Sequence, residues 1–385
     1  MASAASISSS QPEAPKVHAS DISSIKAFAE SKGASLIPYT YHSITEHHDD
    51  DVADELAASI PVIDLSLLTS HDPQIHAKAV HQLGKACAEW SFFMVIQNLF
   101  FSLMNFTFNY HSLAYHQLTN HGIPESLVEE LMKKSREFHD LPMEEKKEFG
   151  NKGPFEPIRH GTSFCPEAEN VHYWRDYLKA ITFPEFNFPY KPPGYREVAY
   201  DYSKKIRGVT RKLLEGISES LGLESNSIIE STDFDSGHQL FVVNLYPPCP
   251  QPHLALGLPS HSDVGLLTLL TQNGIGGLQV KHNGKWVNVN PLPNCLIVLL
   301  SDQLEVVSNG KYARVMHRAI LNNADTRISV VLANGPALDK EIGPLPELLQ
   351  NYKPLFRSIK YRDYFQIQQK SRLQDKSSLD EIRLN

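Results

Sequence analysis

His261-Ser262-Asp263 heads a strand-like run rich in leucine and threonine. In a β-strand, residues i and i+2 face the same side. On that reading His261 and Asp263 offer an imidazole nitrogen and a carboxylate oxygen to one point. In a chain with 18 histidines such a pair also arises by chance, and a satisfied surface or core pair is the competing reading. His317, inside Ala313–Ile320, brings a second imidazole from another β-type run. Two imidazoles and one carboxylate on one face form the facial triad of non-haem Fe(II) oxygenases, which leaves coordination positions open. Zinc hydrolysis accepts the same donors. These three residues alone leave both metals open.

Arg327-Ile328-Ser329, ten residues after His317, separates the two. The planar guanidinium fork matches a carboxylate, and a serine hydroxyl adds a donor. A zinc hydrolase needs no carboxylate clamp beside its metal, whereas an iron enzyme using a 2-oxo acid does. A lone arginine of this kind is by default a structural salt bridge; the triad and the spacing turn the reading toward the clamp.

The elements that must carry these residues follow from periodicity. Ile60–Leu68 reads as a buried strand, and Asp72-Pro73 opens a helix to about Trp90 with Ala79, Leu83 and Ala86 on one face. Pro124 is expected at the first position inside a helix, and residues 195–222 form a long amphipathic helix. From Gln239 the period changes to short β-type runs, with Asn283-Gly284 as a hairpin signal. The last forty or so residues return to helix, at 346–352 and 360–370. The expected architecture is α+β: a helical N-terminal half supporting a C-terminal β-sandwich as one catalytic unit. The expected boundaries are a disordered or helical tail at 1–58, a helix-and-strand region at 59–190, the catalytic region at 191–370 and a C-terminal tail at 371–385.

Composition narrows the class. The 385 residues carry 36 Lys+Arg against 44 Asp+Glu, a net charge of -8 with no basic block, which argues against nucleic-acid binding. Cys87, Cys165, Cys249 and Cys295 lie far apart, so buried thiols are expected and not a disulfide framework or zinc knuckle. The N-terminal stretch has no apolar signal core and no arginine, and the uncharged segment 90–124 is interrupted by Asn and His; a cytoplasmic protein is expected, with no membrane span.

The set Asn244-x-Tyr246-Pro247-Pro248-Cys249-Pro250, His261-x-Asp263, His317 and Arg327-x-Ser329 resembles the plant soluble 2-oxoglutarate- and Fe(II)-dependent dioxygenases. The resemblance runs over most of residues 60–370 and leans toward the specialised-metabolite and defence-related hydroxylases. It implies a double-stranded β-helix, or jelly roll, with helices packed outside. It implies that His261, Asp263 and His317 bind iron, that Arg327 and Ser329 hold the distal carboxylate of 2-oxoglutarate, and that Tyr246 and Asn244 reach the cosubstrate. A proline-stiffened strand end is the other reading for Asn244. Fe(II), 2-oxoglutarate and O2, with ascorbate as supporting reductant, would oxidise a small, largely apolar metabolite and release succinate and CO2. A monomer is expected. Two alternatives stay open here: an oxidase akin to the ethylene-forming enzymes that does not consume 2-oxoglutarate, and a catalytically impaired binding protein.

Two departures from the family pattern stand out. Residues 97–119 separate Phe92–Ile96 from Asn120–Pro124, segments that are contiguous in the family. Their aromatic, uncharged composition resembles translated non-coding sequence, so a retained intron is expected, with a genuine lineage-specific loop as the other reading. Six residues past Arg327, where flavonoid-acting relatives carry a stacking aromatic, stands Ala333. Phe155, Phe164, Tyr173 and Leu240 are candidate pocket-wall residues, with core packing the favoured reading for each.

Overall fold

A computed structural model describes residues 22–31, 36–43, 52–96, 121–150, 153, 155–163, 171–350, 352–370 and 378–384. The expected insertion at 97–119, together with Phe164 and Cys165, lies outside them. In chain order the first strands are β1 (Val62–Ile63), β2 (Phe92–Ile96), β3 (Ile158–Thr162), β4 (Asp176–Phe183) and β5 (Gln239–Tyr246). Then follow β6 (Leu258–His261), β7 (Leu267–Gln272), β8 (Leu278–His282), β9 (Lys285–Asn288) and β10 (Cys295–Leu300). The last are β11 (His317–Ala319), β12 (Arg327–Asn334), β13 (Glu341–Ile342) and β14 (Ile359–Lys360).

Eight strands form the major sheet in the order β1-β2-β10-β7-β12-β5-β4-β3, and β6-β11-β8-β9 form the minor sheet facing it. Alternation along the major sheet separates two environments. Ile328, Val330 and Leu332 of β12, Phe241, Val243 and Leu245 of β5, and Leu178 and Ala180 of β4 enter one hydrophobic core shared with the helices. The intervening residues point the other way, toward the minor sheet. There a smaller core of Phe92, Met94, Leu270, Val280, Ile297 and Leu299 closes one end of the sandwich.

Three helices back the major sheet: Pro73–Glu89, Glu125–Asp140 and Tyr195–Ser220. Asp72 caps the first, its Oδ1 accepting from the Gln74 amide at 2.8 Å, with Pro73 in the first turn. The third buries Tyr202, Ile206, Val209, Leu213 and Ile217 at three- and four-residue spacing. It crosses the first so closely that a Cβ at Gly84 would lie 2.9 Å from Ser220 Cβ.

Several expectations are corrected in detail. The strand at 60–68 is only Val62–Ile63, because Asp64 Oδ1 accepts from the Ser66 amide (2.9 Å) and hydroxyl (2.6 Å) and turns the chain. Pro124 is the residue before the helix and not its first turn. The 346–352 segment makes a short 3-10 turn, Pro346–Leu349. The N-terminal half is more than a helical support, since β1–β4 supply half of the major sheet. The hairpin stands: Asn283 and Gly284 take φ of 49° and 83° between β8 and β9. Cys87, Cys249 and Cys295 are free and buried.

The residues flanking 97–119 meet at one place. Ile96 pairs with Cys295, and His121 Nε2 lies 3.1 Å from the carbonyl of the adjacent Asn294.

Candidate active site

His261 ends β6 and His317 begins β11, and the two are direct partners in the minor sheet. Their rings lie 4.1 Å apart between centroids. Asp263 is not on the same strand as His261. After His261 the chain leaves the minor sheet and crosses through Ser262–Leu266 to β7 of the major sheet. Convergence of the HxD pair therefore comes from a turn between sheets, which sequence periodicity read as strand alternation. Asp263 Oδ1 is 3.8 Å from His261 Nε2, and Oδ2 is 3.8 Å from His317 Nε2. One donor atom from each residue lies within 4.8 Å of the others.

The donor set fits a divalent metal. His261 Nδ1 lies 2.9 Å from the Pro259 carbonyl, which turns Nε2 inward. Asp263 Oδ2 is buried with no hydrogen-bond partner among the described residues, an unusual state for a carboxylate unless a cation completes it. Burial first, and His317 second, push the His261 imidazole well below its ordinary range, so it is neutral and ready to ligate.

A hydrogen-bonded clamp holds the crossing turn. Ser262 Oγ donates to Asp302 Oδ1 at 2.7 Å, and the Asp302 amide donates to the Asp263 carbonyl at 2.9 Å. Tyr364, on the C-terminal helix Tyr361–Lys370, donates to the other Asp302 oxygen at 2.7 Å. Burial raises the Asp302 carboxyl to about 6, against the opposing pull of Arg314. Sequence reading missed this clamp. Its only signal was an acidic residue, Asp302, soon after the apolar run Cys295–Leu300.

Arg327 and Ser329 stand at i and i+2 on β12, as expected, and both are 1% exposed. Tyr246 is the direct β5 partner of Arg327, and its ring centre is 5.1 Å from the guanidinium carbon. Asn244 is the partner of Ser329. Arg327 Nη2 donates to Gln272 Oε1 at 2.9 Å, but no carboxylate pairs with the guanidinium among the described residues. Gly277, at φ +133°, keeps this corner open: a Cβ there would lie 3.2 Å from Arg327 Cδ. Asn244 accepts from Arg175 Nη1 at 2.7 Å, so its amide is fixed by a second cation that sequence reading did not single out.

All seven candidate residues line one cavity, together with Arg175, Lys179, Val242, Val264, Val331, Phe365 and Gln368. Leu240 and Ala333 face it as well. Tyr173 is fully buried and not among the residues lining it, and Phe155 packs on Phe365 at 5.3 Å behind the wall. Arg175 and Lys179 were legible in principle, since Arg175, just before β4, and Tyr177 and Lys179 on it fall at two-residue spacing within the Trp174–Lys179 motif. No helix among the described residues is long and apolar enough to cross a membrane.

Comparison with known proteins agrees with this geometry. Residues 237–336 match the model of the 2OG-Fe(II) oxygenase superfamily, and residues 111–198 match that of the non-haem dioxygenase in morphine synthesis N-terminal family. The chain is 42% identical to 2-oxoglutarate-dependent dioxygenase 19 of Oryza sativa subsp. japonica, over 84% of this chain and 90% of that one. It is 37% identical to Protein DMR6-LIKE OXYGENASE 1 of Arabidopsis thaliana, over 80% and 82%. A crystal structure of JOX2 in complex with 2OG, Fe and JA superposes with a TM-score of 0.79 at 28% identity, covering 94% of this chain and 98% of that one. The triad, the buried guanidinium and these likenesses agree: the chain belongs to the 2OG-Fe(II) oxygenase superfamily and is a plant 2-oxoglutarate-dependent dioxygenase with a jelly-roll core.

Proposed function

We propose that His261, Asp263 and His317 hold the ferrous ion, and that Arg327, Ser329, Tyr246 and Asn244 receive 2-oxoglutarate, while a small, largely apolar metabolite is oxidised beside them. The observation that carries this assignment is that the three metal donors and a buried guanidinium without a carboxylate open into one cavity. When bound, the ferrous ion supplies the redox chemistry that couples O2 to C–H oxidation. The chain's own part is positional. Arg327 and Ser329 fix one carboxylate of the cosubstrate through charge-assisted hydrogen bonds, leaving its 2-oxo end toward the triad. Val242, Leu240, Val331 and Ala333 offer the substrate an apolar wall that excludes water. For hydroxylation, substrate, O2 and 2-oxoglutarate become hydroxylated substrate, succinate and CO2. A reading without 2-oxoglutarate is not favoured, because named relatives use it.

Ascorbate as supporting reductant, a monomeric state, a cytoplasmic location and the absence of a nucleic-acid partner belong to the same proposal, as do the segment boundaries near 58, 190 and 370. The direct test supplies plant extract fractions with Fe(II), ascorbate and 2-oxoglutarate and compares the wild type with His261→Ala. Succinate should appear in step with an oxidised product in the wild type only. Substrate-stimulated CO2 release that persists in the variant would overturn the iron assignment.

A further inference from the structure

A stretch of chain near the N-terminus packs on the cosubstrate side of the cavity from outside it. Residues 22–31, with the short helix Ile25–Glu30, and residues 36–43 bury Ile25, Ile37 and Tyr41 in a third core around Trp174. Their anchor is a buried charge. Asp176, at the start of β4 and 2% exposed, accepts at Oδ2 from the Ser24 hydroxyl (2.7 Å) and the Lys26 amide (3.0 Å). Its Oδ1 accepts from the Ile25 amide at 2.8 Å. Ser24, 152 positions away in the chain, also accepts at Oγ from the Ala27 amide at 3.2 Å and so caps the helix. A buried carboxylate stripped of its donors is costly, and release of the stretch would leave one.

Three consecutive residues pass this anchorage to the site. Successive side chains of an extended chain point to opposite sides. Here Trp174 and Asp176 meet the N-terminal stretch, while Arg175 lines the cavity and donates from Nη1 to Asn244 Oδ1. Trp174 is fully buried, and the rings of Phe28 and Tyr41 meet it edge-on at 5.9 and 5.6 Å between centres. Its indole donates to the Pro247 carbonyl at 3.2 Å and its amide to the Leu256 carbonyl at 2.9 Å. Those two carbonyls lie at the two ends of the loop that leads from Tyr246, the last residue of β5, to β6 and His261. The N-terminal stretch also grips this loop directly. The Ile37 amide donates to Gln251 Oε1 at 3.0 Å, and the Ser43 amide donates to the Leu254 carbonyl at 2.8 Å.

We infer that residues 22–31 and 36–43 form a strap that holds the cosubstrate side of the site in its binding geometry, with Ser24, Trp174 and Asp176 as positioning residues for 2-oxoglutarate. None of the three lines the cavity; they act through Arg175, Asn244 and the 247–257 loop. The inference rests on the reading that Asn244, Tyr246, Arg327 and Ser329 receive 2-oxoglutarate, and it extends that machinery to a part of the chain expected to be a tail. Linkage is reciprocal, so a strap that favours 2-oxoglutarate is itself held more tightly once 2-oxoglutarate is bound.

The test uses the full-length protein with Mn(II) in place of Fe(II), so that 2-oxoglutarate binds without turnover. Calorimetry reads its affinity, and amide hydrogen exchange reads opening of the strap. In the wild type, saturating 2-oxoglutarate should slow exchange in 22–31 by about tenfold or more. Ser24→Ala should weaken 2-oxoglutarate by about three- to tenfold, the scale of a lost cap and a lost hydrogen bond to a carboxylate. Ser24→Thr, which keeps the hydroxyl, should restore the affinity, and Asp176→Asn should weaken it further than Ser24→Ala. A variant that merely folds poorly lowers the number of binding sites per chain and leaves the affinity of the remaining ones unchanged. Exchange in 22–31 that does not respond to 2-oxoglutarate, or wild-type affinity in both Ser24→Ala and Asp176→Asn, overturns the inference. A wild type to which 2-oxoglutarate does not bind at all would instead overturn the cosubstrate assignment beneath it.

Discussion

Among the described residues two pairs of imidazoles stand ring to ring, and only one of them has a carboxylate between its nitrogens. His261 and His317 face each other at 4.1 Å with Asp263 beside both Nε2 atoms and a cavity in front. His139 and His160 lie 6.0 Å apart under the helical layer, packed around Phe138. Their neighbour is not an acid but Lys146, whose ammonium donates to the His139 carbonyl at 2.7 Å. Burial, and then positive neighbours, push both imidazoles well below their ordinary range, His160 to about 3. Both nitrogens of His139 and the Nε2 of His160 lack hydrogen-bond partners among the described residues. A metal site needs converging lone pairs, a carboxylate to offset the cation, and volume for the ion. Among the described residues no carboxylate bonds to the second pair, so desolvation there amounts to a stability liability.

The sharpest way to break this contrast is to remove the acid that distinguishes the pairs. Asp263→Ala should abolish Fe(II)-dependent succinate formation and lower bound iron, read by metal analysis of the purified protein, while the fold stays intact. Substituting Arg327→Ala should raise the KM for 2-oxoglutarate by roughly 10- to 100-fold, the scale of a charge-assisted contact. An unchanged KM would mean that the cosubstrate docks elsewhere. Asp302→Asn keeps the size of the clamp but weakens its hold on Ser262 and Tyr364. Iron affinity should fall by roughly 10-fold or more, as for other outer-sphere partners of metal ligands, and thermal stability should change less.

The second pair yields a smaller effect, one of pH. An imidazole in the unfolded chain titrates near 6.5, and the folded values of His160 and His238 lie at about 3 and about 4. Protons therefore bind the unfolded chain first. Stability is complete above about pH 6.5 and is lost as pH falls through the window below it. Near pH 5 each of these two groups should cost about 2 kcal/mol. Urea midpoints taken between neutral and mildly acid pH should show the decline, and His160→Phe should flatten it. A flat wild-type profile would remove the liability argument. The smallest expected change is from excising residues 97–119. Because Ile96 and His121 meet adjacent residues of the β10 edge, the shortened chain should fold and retain iron-dependent activity, checked by circular dichroism and succinate assay.

Much of the site was legible because its chemistry is local. Arg327 and Ser329 were read correctly as same-face neighbours, since strand alternation fixes that relation without any partner. The Asn244–Tyr246 segment was read as part of the same site, and register places it opposite them. His261 and Asp263 were grouped correctly for a reason that does not hold, because a turn between two sheets produces the same convergence. Asp302, Arg175 and Lys179 passed unnoticed, as their meaning depends on partners 40, 69 and 63 positions away.

Composition, donor identity and hydrophobic period thus determined the class of chemistry and the elements that carry it, because these depend on side-chain type and on neighbours within a few residues. Which strands lie side by side, where the chain crosses from one sheet to the other, and which cation ends up one pleat beyond the Asn244–Ser329 row were decided only on folding. Those relations are set by long-range hydrogen-bond register and by core packing, in which each strand's position depends on all the others at once.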